Sequence, residues 1–357
     1  MLETCVNLEP GVMMFDETAL FDTSAPVHIL GRKYTARTDQ EEIRDDLRSR
    51  LWFTYRRGFD PIGGTGPSSD EGWGCMLRCA QMLLAEAISR LRLGRAWRWR
   101  LGSEEQAAIL DLFLDRKDRP FALHQIAQMG VSEGKQVGEW FGPNTAAQVL
   151  KKLLALQPSS NLLAHVALDN CLILSDVEAV AKSREGMDWT PLLLILPLRL
   201  GLTALNPCYI NALKAFLGMR WSLGILGGRP NHALWILGAV DAAAIYLDPH
   251  FCQSHVPEVS KEQEESFHCQ SVMHESLADL DPSLALAFMA ESREDFQQLL
   301  QAMHQQLLPE SQPPLFEVLE TRPSWYPAFQ PYQAPSDTPG PATFTHLDSD
   351  EEFEILD

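Results

Sequence analysis

The run Gly72-Trp73-Gly74-Cys75-Met76-Leu77-Arg78-Cys79 decides how this chain is read. A glycine-rich segment, Ile62-Gly63-Gly64-Thr65-Gly66-Pro67-Ser68-Ser69-Asp70, leads into it, and a strongly helical pattern follows. Met76, Leu77, Ala80, Met82, Leu83, Leu84, Ala87, Ile88 and Leu91 are apolar, with Arg78, Glu86 and Arg90 between them. Cys75 therefore stands where a loop becomes a helix. There the unpaired backbone N–H groups and the positive end of the helix dipole favour a thiolate, which is what a nucleophilic thiol requires. A free cysteine at a helix start is nonetheless more often a small buried apolar residue. The neighbouring glycines, which let a substrate backbone come close, favour chemistry; a histidine partner is still needed.

The surrounding chain has the composition of an ordinary globular protein, 45% apolar and 22% charged, and its 357 residues suffice for one large or two medium domains. A net charge of −19 argues against nucleic acid or an anionic membrane as main partner and suits a partner with a basic face. The seven cysteines, Cys5, Cys75, Cys79, Cys171, Cys208, Cys252 and Cys269, are irregularly spaced and do not read as a disulfide framework. A reducing, cytoplasmic compartment is expected. Residues 1–10 lack the apolar core of a signal peptide, and the longest apolar run, 191–198, is too short to span a bilayer.

Residues 1–25 are acidic and mixed and are expected to form a mobile arm. A short strand and turn are expected over 27–34, then a helix over 38–57, where Ile43, Leu47, Leu51 and Trp52 recur at helical spacing. Further helices are expected over 104–113, 145–156, 206–216 and 292–308. Strands are expected over 161–174, over the continuous apolar run 191–198 and in a hairpin made by 233–240 and 243–247. Between them Gly227-Gly228-Arg229-Pro230-Asn231-His232 is a turn by composition. Residues 258–265 read as a charged loop and 316–319 as a last strand. Nine of the 23 prolines lie between 309 and 341, and from about residue 321 the chain is expected to be disordered.

The histidine partner is offered by Ile245-Tyr246-Leu247-Asp248-Pro249-His250. Pro249 forces Asp248 toward extended backbone, and on an extended chain residues two apart point to one side. Asp248 and His250 should lie with Cα atoms roughly 6–7 Å apart, close enough for a carboxylate–imidazole hydrogen bond. Taken alone, this is a turn aspartate beside an exposed histidine. Taken with Cys75, a cysteine at a helix start and a later histidine at a strand end form the arrangement of papain-like hydrolases. The Cys75 backbone N–H would then supply an oxyanion hole, with Tyr55 the nearest side-chain donor in sequence.

These residues resemble a known family. Leu51-Trp52-Phe53-Thr54-Tyr55-Arg56, Gly63-Gly64-Thr65-Gly66-Pro67, the Cys75 stretch, Gly142-Pro143-Asn144-Thr145 and Asp248-Pro249-His250 resemble the autophagy-related 4 cysteine proteases (autophagins), closest to the A/B-type members. The resemblance runs from about residue 27 to 319. It implies an α+β, papain-like fold with a small auxiliary α/β subdomain, set between an arm at 1–25 and a tail at 321–357. It implies cleavage after the C-terminal glycine of ubiquitin-like autophagy-related 8 modifiers (GABARAP and microtubule-associated light-chain types). It also implies their release from phosphatidylethanolamine on autophagic membranes; no cofactor is expected, and nothing in the sequence argues against a monomer. Cys75 then resembles the nucleophile, His250 the acid/base, Asp248 its orienter and Tyr55 the oxyanion-hole residue. Trp140 resembles a lid, and the loop with Gly228 and Pro230 a flap. Near the C-terminus Phe353-Glu354-Ile355-Leu356, behind Asp348, Asp350, Glu351 and Glu352, resembles the acidic motifs that bind these modifiers, with Phe353 and Leu356 as anchors.

The glycine-rich segment lacks the Lys-Ser/Thr of a phosphate loop, so a substrate groove explains it better. Cys75 and Cys79 lie one helical turn apart without further ligands, so zinc is not expected. Cys79 is a candidate redox neighbour, or a core thiol. Two rival functions share these features: a Cys-His-Asp acyl transferase, and a non-catalytic adaptor acting through the terminal motif.

Overall fold

The apolar run at 191–198 does become a strand buried on both faces, and the sheet that holds it organises the molecule. A computed structural model describes residues 17–308 and 313–333. Its helices are α1 (Glu17–Phe21), α2 (Gln40–Arg48), α3 (Cys75–Leu93), α4 (Glu104–Leu110), α5 (Leu123–Val131), α6 (Pro143–Ala155), α7 (Leu174–Ala181), α8 (Ile210–Gly218), α9 (Lys261–Glu264) and α10 (Arg293–Gln306). Its strands are β1 (Pro26–Ile29), β2 (Arg32–Thr35), β3 (Tyr55–Arg57), β4 (Leu163–Val166), β5 (Cys171–Ile173), β6 (Leu192–Arg199) and β7 (Ser222–Arg229). They continue with β8 (His232–Val240), β9 (Ala243–Leu247), β10 (Cys252–Ser254), β11 (Met273–Ser276), β12 (Ser283–Ala290) and β13 (Glu317–Leu319).

Among the described residues the main sheet runs β11-β9-β8-β7-β12-β6-β4, with β1 added to β8 and β2 to β1. β6 lies between antiparallel β12 and parallel β4. Helices α3 and α6 pack together against the sheet, as do α8 and α10. Cover on both faces is what a run such as Leu192-Leu193-Leu194-Ile195-Leu196 needs, since both of its side-chain rows are apolar. The result is the α+β architecture expected from the sequence.

Several local expectations change. The helix at 38–57 stops at Arg48, because the aromatic run Leu51 to Tyr55 leaves it to reach β3, which pairs in parallel with β10. The strand at 161–174 divides into β4 and β5, since Asp169 (φ 52°) and Asn170 (φ 54°) take left-handed backbone that short polar residues tolerate. The charged loop at 258–265 holds α9, whose Glu264 is buried and accepts the Trp99 indole N–H at 2.7 Å. β12 was not anticipated, although Leu284, Leu286 and Phe288 alternate with alanine as a sheet strand should. The arm is held from residue 17, because Leu20 and Phe21 are buried and the Glu17 carboxylate accepts from Arg44 Nη2 (2.8 Å) and Val272 N (2.9 Å). Residues 321–333 form no helix or strand, yet Arg322 pairs with Asp176 and the Phe329 ring lies 5.7 Å from that of His165. Ordered packing therefore continues past residue 320.

α3 is apolar all round because it lies in the core, so its charged residues must find partners inside. Arg78 is fully buried. Its Nε and Nη2 donate to both oxygens of Asp70 at 2.7 and 3.0 Å, and its Nη1 and Nη2 donate to both of Asp115 at 2.9 and 3.0 Å. Asp70 also accepts the Arg56 N–H at 2.7 Å. A Cβ on Gly74 would stand 2.4 Å from Asp70 Oδ2, so only glycine lets α3 begin this close to the brace. Removing the cation leaves two buried carboxylates unpaired. Arg78→Met is expected to cost about 3–5 kcal/mol of stability, measured as a fall in the urea midpoint at constant m-value.

Candidate active site

The site is assembled where β3 meets the chain following β9. Tyr55 N donates to Pro249 O at 2.9 Å, and the Trp52 indole N–H donates to Asp248 O at 2.7 Å. These bonds hold 248–250 extended. Asp248 Oδ1 accepts both the His250 backbone N–H at 2.9 Å and His250 Nδ1 at 2.6 Å, the hydrogen bond expected from the sequence. A carboxylate only accepts, so Nδ1 carries a proton, and Nε2 is the nitrogen that can gain or give up the second one.

Cys75 is the first residue of α3, with Gly74 as N-cap, and it is 2% exposed. Burial alone would raise its pKa. The neighbouring His250 ring outweighs that, together with the Ala233 backbone and the Trp140 side chain. The thiol is thus held below its ordinary value. His250 shows the reciprocal effect. Burial would lower it, but the Asp248 carboxylate and the Cys75 sulfur lift it to about 9. Asp248 is disfavoured by burial and then pulled far below the usual carboxylate range by His232 and His250. The three groups therefore favour a thiolate–imidazolium pair backed by a carboxylate. Tyr55 is buried with its ring edge-on to His250, centroids 5.4 Å apart.

The remaining sequence candidates are placed as follows. Trp140, 38% exposed, lines a groove with Met76 beside Cys75 and is among the groups that lower its thiol pKa. Gly227, Gly228 and Arg229 belong to β7 rather than to a loop, and the turn is only Pro230-Asn231, with Asn231 at φ 60°. Gly228 has φ 125°, and a Cβ there would meet His232 O at 2.1 Å, so the hairpin tip requires glycine. Trp140, Met76 and Pro143 face Gly227, Arg229, Pro230 and Ala233 across a groove of about 370 Å³. Leu202, 84% exposed, stands on its rim. Cys79 is fully buried, and burial followed by the charges of Cys75 and Asp248 pushes its thiol far up, which favours the core-thiol reading over the redox one. Phe353 and Leu356 lie outside the described residues.

Sequence reasoning missed the Arg78 brace, the Trp52 bond, Leu202 and His232; only the tertiary contacts mark them. His232, Asp248 and His250 bring ligand-type atoms within 4.8 Å of one another. The two imidazoles, however, are stacked with centroids 3.6 Å apart and planes inclined by 8°. Lone pairs in parallel planes do not converge on one ion, and His250 Nδ1 is already committed to Asp248. The cluster reads as a hydrogen-bonded stack.

A thiol at a helix start, with an imidazole beside it and a carboxylate behind the imidazole, is the arrangement expected of a papain-type cysteine hydrolase. Residues 40–302 match the peptidase C54 catalytic domain. The chain is 42% identical to cysteine protease ATG4A of Xenopus laevis, over 98% of this chain and 96% of that one. It is also 42% identical to ATG4A of Homo sapiens, over 94% of both chains, and to ATG4B of Xenopus laevis, over 96% and 97%. The chain belongs to the peptidase C54 family, the autophagy-related ATG4 cysteine proteases of A/B type, and is a cysteine protease with their papain-like fold. Among the described residues no helix is long and apolar enough to cross a membrane.

Proposed function

We propose that this protease cleaves after the C-terminal glycine of ubiquitin-like ATG8-type modifiers of the GABARAP and light-chain classes, and frees them from phosphatidylethanolamine. The two activities are one chemistry, since both bonds are amides on the glycine carbonyl. The observation that carries the reading is the groove at the start of α3, which Met76, Trp140, Gly227, Pro230 and Ala233 line together, with Trp140 and Ala233 both lowering the Cys75 thiol pKa. A groove walled by an indole and a glycine-bearing hairpin favours a substrate end without side chains.

In this reading Cys75 is the nucleophile and His250 its acid/base. Nε2 takes the thiol proton, the sulfur attacks the glycine carbonyl, and the Cys75 N–H with the Tyr55 hydroxyl holds the oxyanion. His250 then gives its proton to the leaving amine, and water activated by the same nitrogen hydrolyses the thioester. Asp248 keeps the ring in the needed tautomer throughout.

The test is mass analysis of a GABARAP-type modifier carrying a C-terminal extension, with and without an added amine. A product ending at glycine under both conditions is expected. Transfer to the amine would support the acyl-transferase reading, and binding without cleavage the adaptor reading. Trp140→Ala is expected to narrow the preference for glycine over alanine at the cleavage position by about tenfold in kcat/KM, the scale of one methyl group in a pocket.

A further inference from the structure

We infer that His232 is a positioning residue for the His250–Asp248 pair, held there by its place at the root of the flap. The β8–β9 register sets Trp235 opposite Leu247, and continuing it three residues puts His232 opposite His250. Cross-strand neighbours share a face, and the two rings are indeed stacked at 3.6 Å. His232 Nε2 lies 3.5 Å from Asp248 Oδ2, the oxygen that His250 does not use. That nitrogen is buried and makes no hydrogen bond, which leaves Asp248 Oδ2 as the charged atom beside it.

Two consequences follow from the geometry. The stacked ring blocks rotation of His250, which keeps Nε2 toward Cys75. A proton on His232 Nε2, 3.5 Å from Oδ2, would hold the second half of the carboxylate by charge, so that Oδ1 stays on Nδ1. Because His232 directly follows the turn Pro230-Asn231 and precedes Ala233, whose backbone helps lower the thiol pKa, the flap and the pair are set by one stretch of β8. The direction of the Asp248 shift agrees, His232 being the foremost of the groups that lower it. The other ionisable groups that sense Asp248 are Cys79 on α3, Tyr246 on β9, Cys269, and Glu275 on β11, whose carboxylate pairs with Arg229 of the flap at 3.2 Å. Cys75 and Tyr55 face His250 itself.

The kinetic part of the test rests on the proposed substrate; the alkylation part does not. His232→Ala is expected to lower kcat for the extended modifier about tenfold with KM unchanged, the scale of a lost orienting contact. His232→Phe, which keeps the ring, and His232→Gln, which keeps an N–H, should each recover part of the loss. Iodoacetamide alkylation mapped to Cys75 reads the thiolate without substrate. Its acid limb should move up by about half a pH unit in His232→Ala, a roughly threefold loss of thiolate on that limb. A change in access alone would alter the plateau and leave the limb in place. The inference fails if the limb does not move, if the loss appears only in KM, or if Ala, Phe and Gln variants lose activity equally. If the intact chain does not cleave the modifier, the substrate reading fails and the alkylation limb still decides the role of His232.

Discussion

Cys75→Ala is expected to reduce cleavage of an extended ATG8-type modifier by about 10⁶-fold, to the level of background, with binding of the modifier retained. In the proposed mechanism the Cys75 sulfur forms the acyl bond, and among the described residues no neighbouring thiol is placed to take over. Cys79 sits one turn further along α3, fully buried, with its thiol held protonated by burial and by the negative charges of Cys75 and Asp248. A methyl group fills less space than the thiol but leaves the Arg78 brace below the helix start untouched. The variant should therefore fold as the intact chain does, and titration calorimetry against the modifier should show retained affinity. Because nucleophile and base act as a unit, adding His250→Ala to Cys75→Ala should cost almost nothing more. A separate, additive loss from His250 would contradict the proposed pairing.

Asp248→Asn is the second large effect, about 10⁴-fold in kcat, because the amide preserves the shape and reverses the hydrogen bond. An amide N–H facing Nδ1 turns that atom into an acceptor and puts the ring proton on Nε2, where it cannot receive the thiol proton. The sign of the pH change follows from the shifts. His250 is lifted to about 9 against burial by Asp248 and Cys75, and Cys75 is held below its usual value despite burial. The thiolate–imidazolium pair exists above the Cys75 pKa and below that of His250. Loss of the carboxylate lowers His250 and raises Cys75, so the window narrows from both sides. Alkylation of Cys75 followed against pH should show the alkaline limb near pH 9 moving down and the acid limb moving up. An unchanged profile would mean that Asp248 serves only the fold.

How much was legible beforehand depends on the range of the forces involved. The helix beginning at Cys75 and the geometry of Asp248-Pro249-His250 are short-range: apolar spacing, a preceding glycine and the restriction imposed by proline act within a few residues. Both stand in the structure as read. The segment 38–57 was misread because the helical spacing of Leu51 and Trp52 competes with β3–β10 pairing, which the local pattern does not contain. The resemblance supplied Trp140 and the flap, which no spacing rule would have singled out.

By itself the sequence determined that this is an α+β chain with a cysteine at a helix start, a buried apolar strand and an aspartate two residues before a histidine. Those are statements about neighbours along the chain. Only the tertiary structure decided that the chain leaving β9 brings His250 to Cys75, and that β8, packed against α3, brings Ala233 near the thiol and His232 to the face of His250. The brace of Arg78 between Asp70 and Asp115 belongs to the same class. Each joins groups far apart in sequence, and their meeting is set by sheet order and register, which depend on the packing of the whole core rather than on any one stretch of residues.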